Sequence, residues 1–163
     1  MNESKGAFPA DKPVDALIHD HNTVRKLVDV YRNSDSMAAK ISAAEQALML
    51  LESHSLVEEQ VFYPAVRDVD ASMISHFEEE HHKTDDILAS LKRMSLSDPQ
   101  ALPMFEQLVD MVLHHIEEEE NQFFPKLEQA RMDMTPIGLQ MQAYEANLVH
   151  MQAQASDQQG ARR

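Results

Sequence analysis

Two segments of this chain are nearly identical, and they constrain the fold more than any other feature. The segments are His54–Pro64 and His115–Pro125, which share His, Glu, Glu, Phe and Pro at the same offsets, 61 residues apart. Residues i and i+4 lie on one face of an α-helix, so each His-x-x-x-Glu motif presents an imidazole and a carboxylate one turn apart. The repeat therefore predicts two helices that meet around one metal centre.

The composition favours an all-helical domain. At 163 residues the chain is most simply one domain. It has only three Gly and no Trp, and Ala, Leu, Met, Glu and Gln, which favour helix, are abundant. A hydrophobic fraction of 43% is too high for general disorder.

Charge and cysteine content exclude several kinds of partner and site. A net charge of −14 disfavours nucleic acid and anionic membranes, which would repel the chain. No signal peptide is visible and the longest apolar run, residues 47–51, is too short to span a membrane, so the cytoplasm is the expected location. The absence of cysteine excludes disulfides, iron–sulfur clusters and zinc–thiolate sites, whereas nine His offer nitrogen ligands.

The apolar periodicity predicts an antiparallel up-down-up-down four-helix bundle with an additional C-terminal helix. Helix 1 is predicted from residue 14 to about 32, and helix 2 ends near residue 67, with Pro64 kinking or fraying its last turns. Helix 3 follows the connection at 68–71, and helix 4 follows the break at 95–99. The predicted segments are an N-terminal loop (1–13), the bundle (14–130), an accessory helix (135–155) and a disordered tail (156–163).

Six polar residues fall on the apolar faces of the four predicted helices. A buried carboxylate is costly unless it is paired or binds a metal. One core-facing His is more often hydrogen-bonded than a ligand, but six such residues in a two-fold pattern indicate a pair of metal ions. Each helical hairpin then supplies His and His-x-x-x-Glu, with one metal per half. The predicted ligands are His21, His54, Glu58, His81, His115 and Glu119.

The other acidic and imidazole side chains receive a simpler interpretation. The remaining members of the two acidic runs are expected to be solvated, namely Glu78, Glu79, Glu80, Glu117, Glu118 and Glu120. Six further side chains rank as minor candidates for contact with the centre: His19, Tyr63, His76, His82, His114 and His150. Imidazole and carboxylate donors without thiolate suit iron, manganese or zinc.

The motif set resembles the hemerythrin-like, or HHE cation-binding, family. The matching motifs, in order, are Asp20-His21, His54-x-x-x-Glu58, Glu80-His81 and His115-x-x-x-Glu119. The resemblance implies two iron ions bridged by two carboxylates and an oxo or hydroxo group, with the four His as terminal ligands and Glu58 and Glu119 as bridges. Oxygen-carrying members have a further His one turn before the third, where this chain has Phe77, so it is more similar to the branch with four His and two Glu.

These features define three classes of function. The first is a di-iron protein that binds or senses O2 or NO, and the alternative is a peroxidase-like or catalase-like enzyme that removes H2O2. Iron storage or buffering ranks third, because a small single bundle has no evident cage-forming surface. The expected partners are a small diatomic ligand or peroxide. The C-terminal helix is expected to cap the bundle, or to contact a second copy or another protein, through Leu139, Ala143, Ala146 and Val149.

Overall fold

The protein is an antiparallel bundle of four helical columns with one further helix packed against it, as seen in a computed structural model that describes residues 8–161. Side chains are described for residues 8–155. The helices are α1 (Pro13–Asn33), α2 (Met37–Val57), α3 (Tyr63–Val66), α4 (Ala71–Lys92), α5 (Ala101–Glu118), α6 (Phe124–Ala130) and α7 (Thr135–Ala161). The predicted all-α bundle with an extra C-terminal helix is confirmed.

Two helical hairpins form the bundle, α1 with α2 and α4 with α5. Local sequence sets where the helices begin: the Ser36 hydroxyl accepts a hydrogen bond from the Ala39 N–H, and the Asp70 carboxylate accepts one from the Met73 N–H. Asp98 and Pro99 form a turn within the predicted break at 95–99, where the Asp98 carboxylate accepts a hydrogen bond from the Gln100 N–H, and α5 begins at Ala101.

A π-helical turn interrupts the second and fourth columns at corresponding positions. The turns span Glu58–Phe62 and Glu119–Phe123, and in each a backbone N–H bonds to the carbonyl five residues earlier, Tyr63 to Glu58 and Phe124 to Glu119. Pro64 and Pro125 follow, and because proline lacks an N–H it cannot continue the ordinary ladder. The kink or fraying predicted at Pro64 is thus replaced by a wider turn that keeps the column continuous.

Two apolar clusters fill the bundle on either side of a polar layer. One contains Val24, Val28, Leu48, Phe105 and Val112, among others. The other contains Leu17, Phe62, Ile74, Phe77 and Phe123, among others. The buried polar residues lie between them along each column, and they are Asp20, His21, His54, Glu58, His81, His115 and Glu119.

The C-terminal helix packs on the bundle through a different face from the one predicted. Ile137 and Met141 are buried, with Tyr144 and Leu148 packed beside them, whereas Leu139 and Val149 are exposed. A β-carbon on Gly138 would lie 1.8 Å from the Ala10 carbonyl oxygen, so glycine is what permits this close approach.

Some predicted segment boundaries differ from the structure or lie beyond its reach. α7 continues to Ala161, past the predicted end at residue 155. The predicted N-terminal loop falls partly on residues 1–7, outside the described residues, and the division of the chain into segments otherwise stays a prediction. Within the described part of the chain, no helix combines the length and apolarity needed to cross a membrane.

Candidate metal centre

All six predicted ligands lie together in the polar layer at the middle of the bundle. α1 contributes His21, α2 contributes His54, α4 contributes His81 and α5 contributes His115. The two carboxylates begin the π-helical turns, and Glu58 and Glu119 are both 0% exposed. Ionised carboxylates buried to this degree require compensation by positive charge.

The six side chains form two groups that share a carboxylate. In the first, His21, His54, Glu58 and Glu119 place ligand atoms within 4.8 Å of one another. In the second, Glu58, His81 and His115 do the same. Each imidazole pair comes from one hairpin, so the arrangement agrees with one metal position per half.

The two carboxylates connect the hairpins. Glu58 Oε1 lies 2.8 Å from His54 Nε2 on its own helix and 3.5 Å from His81 Nε2 on the other hairpin. Glu119 also contacts both hairpins but uses one oxygen for each, with Oε2 3.1 Å from His115 Nε2 and Oε1 3.4 Å from His21 Nε2. A carboxylate with its oxygens near imidazoles of both hairpins is placed to bridge two ions.

The donor atoms at the centre are largely unsatisfied by the protein itself. Buried atoms without a hydrogen-bond partner include His21 Nε2, His54 Nε2, both oxygens of Glu58 and Oε1 of Glu119. His54 Nε2 and Glu58 Oε1 approach closely yet are not directed along a hydrogen bond, so both can converge on a third atom. Orphaned buried polar atoms are rare in native proteins, and cations at these positions would satisfy them. The residues present therefore fit a metal pair.

A carboxylate faces the outer nitrogen of every imidazole at the centre. His54 Nδ1 lies 2.7 Å from Asp20 Oδ2, and His115 Nδ1 lies 3.1 Å from Glu80 Oε1. The acidic residue that precedes one histidine thus orients the histidine of the adjacent helix. Such a partner holds the proton on Nδ1 and leaves the Nε2 lone pair free for a metal.

The other two imidazoles face the glutamates that directly follow Glu58 and Glu119. His21 Nδ1 lies 2.7 Å from Glu120 Oε2, and Arg25 holds that carboxylate with both terminal nitrogens. His81 Nδ1 lies 3.6 Å from Glu59 Oε1, too far for a hydrogen bond but close enough for electrostatic attraction. Glu80 and Glu120, predicted to be solvated, therefore support the centre. In the sequence, the available signal for these supporting carboxylates was the acidic residue that stands directly beside a ligand in each motif.

Tyr63 is the side chain at the centre that helical periodicity ranked too low. It is 0% exposed, and its hydroxyl donates to Glu119 Oε2 at 2.6 Å. The same oxygen lies 3.2 Å from His81 Nε2 and 3.1 Å from His115 Nε2. Burial, together with the negative charges of Glu119 and Glu58, raises the pKa of Tyr63 well above its ordinary value, so the hydroxyl keeps its proton.

The minor candidates among the histidines lie away from the centre. His82, His114 and His150 are exposed, and His76 sits on the surface beside Glu80 and Glu118. His19 on α1 contacts the Phe8 ring instead. None of these five belongs to the two buried groups of ligand atoms found among the described residues.

The carboxylates at the centre favour the protonated forms of His54 and His115. Burial lowers the pKa of His54, but Glu58 and Asp20 outweigh it and raise that pKa to about 10. For His115 burial is likewise outweighed, by Glu119 and Glu80, and its pKa is also raised to about 10. Since a metal binds only the deprotonated nitrogen, metal binding displaces these protons.

An Asp20→Asn variant is expected to bind a metal ion about 10–100-fold more weakly than the wild type, because it loses the charge that orients His54. Affinity is measured by competition with a metal chelator of known strength. Asp29→Asn, an exposed position on the same helix, is the matched control. Equal affinities of the two variants would refute the orienting role of Asp20.

Comparisons with known proteins agree with this architecture. The family model "Hemerythrin HHE cation binding domain" matches residues 12–127. A search of curated proteins found no match. The crystal structure of a hemerythrin HHE cation binding domain-containing protein, the Rv2633c homolog from Mycobacterium kansasii, is similar with a TM-score of 0.63. The alignment has 19% identity over 82% of this chain and 87% of that one, which shows the fold. This chain belongs to the hemerythrin HHE cation-binding domain family.

Proposed function

We propose that this chain is a non-haem di-iron protein that binds or senses O2 or NO at a centre of four His and two Glu. The observation that carries the proposal is the pair of buried ligand groups that share Glu58. His21, His54, His81 and His115 would be terminal ligands, while Glu58 and Glu119 would bridge. When bound, two iron ions at such a centre supply redox chemistry toward small oxygen and nitrogen species.

The space beside the centre supports a very small ligand. A cavity of about 20 Å³ lies against His21, His54, His81 and His115, with Val24, Leu51, Val112 and Ile116 among its apolar lining residues. This is room for roughly one water-sized molecule. The small volume excludes larger solutes, so a diatomic molecule or peroxide is the class of ligand that fits.

The test of this proposal is metal analysis combined with optical spectra of the anaerobically reduced, iron-loaded protein. We expect two irons per chain, since two groups of ligand atoms are present. We also expect the spectrum to change on adding O2 or NO and to return on their removal. A stoichiometry well below two metals per chain in carefully reconstituted protein would refute the di-iron centre.

Tyr63 favours a second candidate function, the dismutation of two H2O2 to two H2O and O2. Its hydroxyl is a buried proton donor held on Glu119, beside the nitrogens of His81 and His115. The corresponding residue in the other half is Phe124, which stacks on His21 and has no hydroxyl. A single protonated phenol at the ligands suits proton delivery to a small oxygen species better than simple binding requires.

A Tyr63→Phe variant is expected to separate the two candidates. If the protein turns over peroxide, loss of the phenol should lower the rate about 100-fold, within the usual range for general acid catalysis, and should leave the iron content unchanged. Oxygen evolution after H2O2 addition is the measurement. Tyr31→Phe removes a buried phenol from the other apolar cluster and is the matched control. The absence of steady oxygen evolution in the wild type would leave ligand binding as the function.

A further inference from the structure

The His-x-x-x-Glu motif occurs twice more in this chain, outside the buried centre. One pair is His76 and Glu80 on α4, and the other is His114 and Glu118 on α5. Because α4 and α5 pack against each other, the two pairs meet at the surface of the bundle. His76 Nε2 lies 3.0 Å from Glu118 Oε2 and 3.3 Å from Glu80 Oε1.

The donor atoms of this outer cluster converge as those of the buried centre do. His76, Glu80 and Glu118 place ligand atoms within 4.8 Å of one another. His114 Nε2 lies 2.9 Å from the other oxygen of Glu118, Oε1, yet that buried oxygen has no hydrogen-bond partner. The nitrogen and oxygen are therefore close without being directed at each other, as His54 Nε2 and Glu58 Oε1 are in the centre.

Only imidazoles balance the charge of the outer carboxylates. Among the described residues, the ion pairs of Glu80 are with His76 and His115, and those of Glu118 are with His76 and His114. Among residues 8–155, no lysine or arginine forms an ion pair with Glu80 or Glu118. The side chains of Glu80 and Glu118 are each 18% exposed, so the two negative charges are also partly desolvated. A divalent cation between them would relieve their repulsion.

We propose that His76, Glu80 and Glu118, with His114 as a fourth donor, form an outer site for one divalent cation. Two imidazoles with two carboxylates suit a borderline ion such as Zn²⁺ or Fe²⁺ better than the hard ions Mg²⁺ or Ca²⁺. The outer site is separate from the buried centre, but Glu80 belongs to the outer site and also orients a histidine of the centre. Glu80 Oε1 faces both His76 Nε2 and His115 Nδ1, so an ion at the outer site would bind the oxygen that orients His115.

The test is a Zn²⁺ titration of the iron-loaded protein against a chromogenic zinc chelator. We expect the wild type to bind one Zn²⁺ per chain without loss of iron. His76→Ala and Glu118→Gln should each weaken that binding at least about 10-fold, with the iron content unchanged. His82→Ala is the matched control, because His82 also lies on α4 with an acidic partner one turn away, Asp86, but outside the cluster.

Three results would overturn the proposal. The first is the absence of Zn²⁺ binding to the iron-loaded wild type. The second is unchanged affinity in both His76→Ala and Glu118→Gln. The third is release of iron in proportion to the Zn²⁺ taken up, which would place the zinc in the buried centre. Far-ultraviolet circular dichroism establishes that each variant is folded, so a lost site is not mistaken for a lost fold.

Discussion

A Glu58→Ala, Glu119→Ala double variant is expected to remain helical and to bind iron more than about 100-fold more weakly than the wild type. Loss of one residue that only orients a ligand already lowers metal affinity roughly 10–100-fold. This variant loses both carboxylates that connect the hairpins. The helices should persist, because the two apolar clusters on either side of the polar layer are unchanged. Iron content after reconstitution and circular dichroism are the measurements.

The control for this experiment removes the same number of negative charges from exposed positions. Glu79 and Glu117 are both exposed, so a Glu79→Ala, Glu117→Ala variant keeps every inward-facing ligand. It should bind iron as the wild type does. Unchanged iron affinity in the Glu58→Ala, Glu119→Ala variant would show that these carboxylates are not ligands, and the di-iron proposal would fail with them.

Removal of the metal is expected to lower the stability of the wild type substantially. Without cations, several buried nitrogens and oxygens have no partner, and each is a desolvated polar atom. An ion that binds only the folded state stabilises it by about 4 kcal/mol when its concentration is about 1,000 times Kd. For a domain of this size, that corresponds to a shift in Tm on the order of 10 °C.

Thermal unfolding of chelator-treated and iron-reloaded protein, followed by circular dichroism, measures this shift. The Tm should rise with iron concentration in the wild type and in the Glu79→Ala, Glu117→Ala control. It should not respond in the Glu58→Ala, Glu119→Ala variant. The same Tm with and without metal in the wild type would contradict the expectation, because the buried donor atoms would then have to be satisfied without cations.

The sequence predicted the bundle and the position of the six inward polar residues because both depend on regular helical spacing. His21, His54, His81 and His115 occupy turns of straight α-helix, where apolar residues every three or four positions identify the inner face. Glu58 and Glu119 lie one turn beyond a histidine, before the helical geometry changes. The same helical spacing therefore predicted that both carboxylates point inward.

Regular helical spacing did not predict the position of Tyr63. A regular α-helix puts Phe62, four residues after Glu58, on the inner face and turns Tyr63 toward its edge. In the π-helical turn the repeat is wider, so Phe62 and Tyr63 are both buried. Pro64 marked an irregularity, but proline alone does not distinguish a kink from a wider turn.

The supporting carboxylates were missed for a different reason. Glu80 and Glu120 belong to acidic runs, and runs of charge usually form solvated faces. Their contacts reach histidines on other helices, His115 and His21, so they depend on how columns pack and not on spacing within one helix. The face through which α7 packs on the bundle was missed for a related reason, because the apolar positions around this helix do not by themselves select one side.

Each π-helical turn contains one residue more than the α-helical turn it replaces, so the centre depends on chain length as well as on residue identity. Deleting the exposed Gln60 would close the π-helical turn to an α-helical one, and Tyr63 would become the residue four positions after Glu58. The hydroxyl of Tyr63 reaches Glu119 from the wider turn, so this deletion would shift the phenol relative to that carboxylate. A position at which substitution is tolerated is thus one at which deletion is not.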